Sequence, residues 1–168
     1  MDDTATGTAV SPGRTDADLS VGPSETGMRE VIRARGHENV RAEHASTFEV
    51  TTDDWLTPAG DCILAVEADR APADFDPAFV EACRSHDARV TCEIGVDGGA
   101  HVGTVTGRGH PDLTFESDRS AVARTSDYVD DRTVMVDADH AAAGFDRGLV
   151  AALRDGGDLV VTLRVERE

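Results

Sequence analysis

Residues 61–76, DCILAVEADRAPADFD, reappear as residues 131–146, DRTVMVDADHAAAGFD, with eight of sixteen positions identical. Chance matching in so Ala- and Asp-rich a composition gives roughly two. The likeness extends outward: GMREVIRARGH ending at His37 aligns with AHVGTVTGRGH ending at His110, and ARVTCEI ending at Ile94 aligns with LVVTLRV ending at Val165. A unit of about seventy residues occurring twice in tandem restricts the fold, because a short unit cannot cover its own apolar face and must pack on its neighbour. The expected layout is a disordered acidic tail over residues 1–26, followed by a single domain over 27–168 built of two repeats, 27–99 and 100–168.

Each repeat reads as several strands and one helix. Residues 28–35 set Val31 and Ile32 among charges and stop at Gly36, which reads as a strand. Residues 40–44 read as a short extended piece, and residues 47–51 alternate Thr47, Glu49 and Thr51 with Phe48 and Val50, so opposite polarities face opposite sides. Residues 62–68 carry apolar side chains on both faces, which predicts a central, doubly covered strand. Asp76 followed by Pro77 is a helix start, with Phe75 placed to staple onto Val80, and residues 90–94 return as a strand.

The second unit repeats this order: a strand over 102–106, extended pieces near 113–116 and 121–124, a strand over 133–138, a helix over 146–154 closed by Gly156 and Gly157, and a strand over 159–165. The first copy alone owns the longer loop carrying Trp55, the single Trp of the chain. The fold class is therefore α+β and β-rich: two tandem strand-rich repeats, each with one helix, packed as one pseudo-two-fold β-sandwich or barrel with the helices outside.

Charge narrows the partners. Thirty-three acidic residues against sixteen basic give a formal net charge of -17, and every basic residue is Arg. Acids scattered through both repeats read as a solubility device suited to a salt-rich cytoplasm, and they disfavour nucleic acid as a partner. The N-terminus has Asp2 and Asp3 where a signal peptide would be positive, no apolar run is long enough for a bilayer, and the three cysteines form no C-x-x-C pair. A cytoplasmic protein with reduced thiols and no membrane partner is expected.

The ordered motifs GHENVRAEH, TFEVTT and LTPAGDCI, with GHPDLTF and SDYVDDRTV in the second copy, resemble an archaeal family, domain of unknown function 371 (DUF371). The resemblance spans nearly all of residues 28–166. It implies a β-rich fold and a haloarchaeal source, and it brings no activity, substrate, cofactor or catalytic residue. The acidic surface, the absence of Lys and the long N-terminal segment depart from the family pattern.

Candidate chemistry therefore comes from the residues alone. His37 and His110 occupy equal places in the two copies, as do Asp61 and Asp131, so a pseudo-two-fold axis could bring them to one shared cleft. His37, His110 and Asp61 would then suit a divalent metal and a hydrolase using metal-bound water. The opposing reading makes each Gly-His pair a turn whose imidazole caps backbone groups. His44, Thr47, Glu49 and Thr51 form a polar file fit to line a groove or simply to face solvent, and Arg132 could bind an anion or close an ion pair. Cys62 reads as a core residue. The favoured expectation is a module binding a small molecule or a protein through His37, His44, Thr47, Glu49, Asp61, His110, Asp131 and Arg132, with no cofactor assigned. A metal-dependent hydrolase is the alternative, and an assembly protein pairing through a sheet edge is a third possibility.

Overall fold

The computed structural model describes residues 28–167, so the tail expected over residues 1–26 lies outside the described residues. The elements are strands β1 (Met28–Arg35), β2 (Thr47–Thr51) and β3 (Ile63–Ala65), a 3₁₀ turn Pro72–Asp74, helix α1 (Pro77–Cys83) and strand β4 (Ala88–Val96). Then come β5 (His101–Arg108), β6 (Ser120–Arg124), β7 (Thr133–Met135), a second 3₁₀ turn Ala142–Gly144, helix α2 (Arg147–Arg154) and β8 (Asp158–Arg167). The succession of three strands, turn, helix and strand thus runs through twice.

Two four-stranded sheets result, and the fold is α+β and β-rich. The first has the order β1-β8-β4-β5 and is antiparallel throughout. The second has the order β3-β2-β6-β7, with β2 and β6 antiparallel in the middle and the outer strands parallel to their neighbours. The expectation of a closed barrel is corrected here. Among the described residues, single bridges, Arg35 to Val66 and Arg108 to Val136, join the edges of the two sheets. Each is followed by one further backbone hydrogen bond, from the Asp69 N–H to the Arg33 carbonyl and from the Asp139 N–H to that of Thr106, both at 2.9 Å. The reason is local: Glu67 and Asp137 follow those bridges with φ of 58° and 53°, and a left-handed residue turns the chain out of the extended path before a ladder can form.

The core lies between the sheets. β4 buries Ala88, Val90, Cys92, Ile94 and Val96, and β8 buries Leu159, Val161, Leu163 and Val165, each on alternate positions. Phe48 and Val50 of β2 belong to the same cluster. Full burial of a Val or Ile stabilises by about 1.5–3 kcal/mol, so the two central strands of the first sheet are its main support. Helix α1 lies against β1, β4 and β8, and α2 against β3, β4 and β5. Asp76 caps α1 by accepting the Ala78 N–H, and Asp146 caps α2 by accepting those of Gly148 and Leu149.

Three expectations about elements are corrected. The strand read over residues 62–68 is three residues long and lies at an edge, not in the centre; it is apolar on both faces because its sequel bridges to β1. Residues 40–44 and 113–116 are not strands, since Ala42 and Phe115 adopt φ of 51° and 53° and interrupt extended backbone. The glycines of the two Gly-His pairs permit close approach. A Cβ at Gly36 would lie 1.8 Å from the Leu153 carbonyl oxygen at the end of α2, and one at Gly109 would lie 2.1 Å from that of Cys83 at the end of α1.

Candidate functional site

The alternation in β2 sends Phe48 and Val50 into the core and Thr47, Glu49 and Thr51 to the other face of the second sheet. Antiparallel pairing with β6 places Arg124 beside Thr47, Val122 beside Glu49 and Ser120 beside Thr51. Parallel pairing sets Ile63 beside Glu49 on one side and Thr133 beside Val122 on the other. The buried polar groups of this layer satisfy one another. The Ser120 hydroxyl donates to Thr51 Oγ1 at 3.3 Å, and Arg124 Nε donates to Thr133 Oγ1 at 2.8 Å.

Glu49, half-buried, occupies the middle of this face. Its side-chain hydrogen bond among the described residues comes from the Cys62 thiol, Sγ to Oε1 at 3.6 Å. Burial, then the charge of Glu49, pushes the Cys62 thiol up to about 11, so at neutral pH it is a protonated, weak donor and not a thiolate nucleophile. Cys62 is thus half-buried on the polar face, which corrects its reading as a core residue.

The charge of Glu49 is felt by two arginines, Arg119 and Arg132, and each is already engaged. Arg119 makes a bidentate pair with Asp53, Nη2 to Oδ2 at 2.7 Å and Nε to Oδ1 at 3.1 Å. That hydrogen bonding raises the Arg119 pKa, with the charges of Asp53 and Glu49 adding to it. Arg132 donates to Asp130 Oδ2 at 3.1 Å. Burial works against the Arg132 charge, but the hydrogen bond to Asp130 and the charges of Asp130, Glu49 and Asp131 outweigh it and raise its pKa. Asp130 also accepts from Arg124 at 3.0 Å. Burial opposes its ionisation, yet the N–H and guanidinium of Arg132, the Thr133 hydroxyl and the Arg124 charge hold it at about 2.

His44 stands at the entry to β2. Its Nδ1 accepts the N–H groups of Ser46 at 3.3 Å and Thr47 at 3.1 Å. Asp61 contributes through its main chain: its carbonyl accepts the N–H groups of Glu43 at 3.0 Å and His44 at 3.3 Å. So His44, Thr47, Glu49, the Asp61 backbone and Arg132 gather around one sheet face. A pairing of Arg132 with its neighbouring carboxylates is legible in the sequence, whereas Arg119, Asp53 and Arg124 are not, since Arg119 and Arg124 come to this face through the pairing of β2 with β6, whose register partners stand 69 to 77 positions apart.

The two remaining histidines lie elsewhere. His37 lines a depression of about 390 Å³ with Arg154 and Asp155, and His110 lines another of about 470 Å³ with Asp112, Glu116, Tyr128 and Asp131. In each, Nδ1 accepts a backbone N–H two residues on, from Asn39 at 3.0 Å and from Asp112 at 3.0 Å. The depressions share no lining residue, and among the described residues no group of three or more His, Cys, Asp or Glu side chains is placed to hold a metal ion. The metal-dependent alternative built on His37, His110 and Asp61 is therefore not supported. Among the described residues no helix is long and apolar enough to cross a membrane.

Comparison with known proteins adds a lineage and no chemistry. An uncharacterised protein of Methanocaldococcus jannaschii, MJ0206, is 37% identical over 138 residues, covering 82% of this chain and all of the relative. The family model described as "Domain of unknown function (DUF371)" matches residues 32–166. On that match and that relative together, the chain belongs to the DUF371 family, for which no activity is established.

Proposed function

We propose that this chain is a binding module whose recognition surface is the polar face of the β3-β2-β6-β7 sheet, centred on Glu49, and that its ligand is a small polar molecule presenting N–H or O–H donors. The observation that carries the reading is the state of the Glu49 carboxylate. It stands half-exposed within electrostatic reach of two arginines that are bonded to aspartates, and among the described residues its hydrogen-bond donor is a thiol at 3.6 Å. A carboxylate can accept several hydrogen bonds, and a charge-assisted one is about twice as strong as a neutral one. A ligand donor thus displaces little and gains much. His44, Thr47, the Asp61 backbone and Arg132 surround Glu49 on this face; Asp131 and His110 lie in the depression that Asp130 also lines, and His37 lies in another.

The reading extends to origin and setting. Residues 27–99 and 100–168 are two repeats of one domain related by an approximate two-fold axis. The repeated order of elements supports this, and so do two matched pairs of left-handed residues, Ala42 with Phe115 and Glu67 with Asp137. The excess of acid and the use of Arg alone support a salt-adapted, cytoplasmic, haloarchaeal protein with a small-molecule or protein partner and not a nucleic acid.

Thermal denaturation in the presence of amines, amides, amino acids and polyols, at high salt, tests the proposal. A compound of one of these classes should raise the midpoint of the wild-type chain and lose that effect in Glu49→Gln. Equal shifts in the two chains, or no shift from any class, would sink it.

A further inference from the structure

The two halves of the chain hold each other. Within residues 28–97 the one ladder between strands is β2 with β3, and within residues 101–167 it is β6 with β7. The other pairings, β1 with β8, β8 with β4, β4 with β5 and β2 with β6, each join a strand of one half to a strand of the other. The glycine of each Gly-His pair is likewise sealed against the helix of the opposite half, Gly36 on Leu153 and Gly109 on Cys83. A half on its own would leave the inner edges of both sheets unpaired.

The described link between the halves is the turn over residues 97–100 that joins β4 to β5. Asp97, Gly98 and Gly99 adopt φ of 55°, 71° and 96° in succession. Around Gly98 and Gly99 the space is open: a Cβ at either would meet no atom within 4 Å. Gly98 and Gly99 therefore owe their shape to the backbone and not to packing, while Asp97 before them is tied to β8, its N–H donating to the Asp158 carbonyl at 2.9 Å and its carboxylate accepting the Asp158 N–H at 3.2 Å.

From this we propose that the halves exchange between copies. If residues 97–100 run extended, residues 28–97 of one copy complete the sheets with residues 101–167 of a second, and the reverse, giving a closed two-fold dimer. Each of the four pairings between the halves is remade across the two chains, β2 with β3 and β6 with β7 stay within a chain, and no new surface is required. The partner is a second copy of this chain, the interface is the one already built, and the left-handed Asp-Gly-Gly turn is what favours the closed monomer.

Gly98→Val and Gly99→Val isolate the hinge, since a β-branched residue resists positive φ while its side chain meets nothing. With a cost of about 1–2 kcal/mol for left-handed backbone in a residue with a Cβ, the dimer association constant should rise about tenfold or more over that of the unsubstituted chain. Native mass spectrometry after refolding from dilute and concentrated denaturant reads it. To separate exchange from face-to-face association, Glu93→Cys with Thr162→Cys places a pair at register partners on β4 and β8. Upon oxidation an exchanged dimer is linked chain to chain, whereas a closed chain is linked within itself. Valine variants that stay monomeric with merely lowered midpoints would overturn the proposal, as would dimers whose oxidised cysteines remain intrachain. If neither valine variant folds, the cysteine pair in the otherwise unchanged chain, refolded over a range of protein concentrations, decides the matter: interchain links in a fraction that grows with protein concentration support exchange, and intrachain links alone at every concentration refute it.

Discussion

The corner before helix α1 and the corner before helix α2 have the same backbone plan and opposite chemistry. In the first, Glu30 of β1 is buried at 6% exposure, takes Arg70 Nη2 at 2.7 Å and accepts the Asp76 N–H at 2.6 Å. Arg70 also donates to the Val31 and Asp74 carbonyls and lies over the Phe75 ring at 5.4 Å. In the second, Gly103 of β5 stands where Glu30 would be, His140 replaces Arg70, and the Phe145 ring fills the space. A Cβ at Gly103 would be 3.1 Å from that ring, and the His140 ring packs on it at 4.8 Å. One corner is closed by a buried ion pair and the other by an aromatic ring over a glycine, so a shared fold does not require shared contacts.

On the second sheet the assignment reverses. The first half contributes Gly60, Cys62 and Ile63 beside β2, whereas the second contributes Asp130, Arg132 and Thr133 beside β6. Charge thus sits on one corner of one half and on one loop of the other. Under the proposal, such lopsidedness leaves one recognition site around Glu49 and not two equal ones.

The largest test of this comparison is Glu30→Ala. It removes the carboxylate from the Arg70 guanidinium, which keeps the Val31 and Asp74 carbonyls, and leaves the Asp76 N–H without its acceptor. The account expects a loss of about 2–3 kcal/mol in denaturant unfolding, and a loss below about 1 kcal/mol would mean that the ion pair contributes little beyond the aromatic cluster of Phe75, Phe79 and Phe115. Next in size is Gly103→Ala. The Phe145 ring must yield a few tenths of an ångström, for an expected loss of about 1–2 kcal/mol, and an unchanged midpoint would show that the second corner is loosely filled. The smallest is Asp130→Asn. The folded carboxyl of Asp130 is held at about 2 against an ordinary 3.8. Its contribution is therefore present above about pH 4 and lost as pH falls toward 2. The variant should be less stable by about 1 kcal/mol near neutrality, with the deficit closing over that acid window, and a deficit independent of pH would contradict the assignment.

How much of this was legible beforehand follows from the range of each interaction. Local signals are legible: the alternation of residues 47–51, the Asp76-Pro77 start of α1, the helix over 146–154, which begins one residue later with Asp146 as its cap, and the stop at Gly156, whose φ is 87°. Ala42 and Phe115 were misread as extended because nothing in an Ala or a Phe announces a left-handed backbone. The open edge between β1 and β3 was missed for a similar reason, since it depends on the turn at Glu67. At the site, Glu49 and Thr47 are visible from β2 alone and the pairing of Arg132 with a neighbouring carboxylate from its own loop, while Arg119 and Arg124 reach the face only through strand pairing between halves. His37 and His110 looked equivalent in the sequence and are equivalent in backbone role, but a turn that uses Nδ1 as an acceptor needs no partner across the molecule.

The central claim is that recognition occurs at the Glu49 face, and amide chemical-shift mapping tests it most directly. During titration with the compound that most raises the thermal midpoint, the account predicts saturable shifts centred on Thr47, Glu49, Cys62 and Arg132 that vanish in Glu49→Gln. Shifts that instead centre on His37 and Arg154, or on the Gly95 face of the first sheet, or that persist in Glu49→Gln, would contradict it.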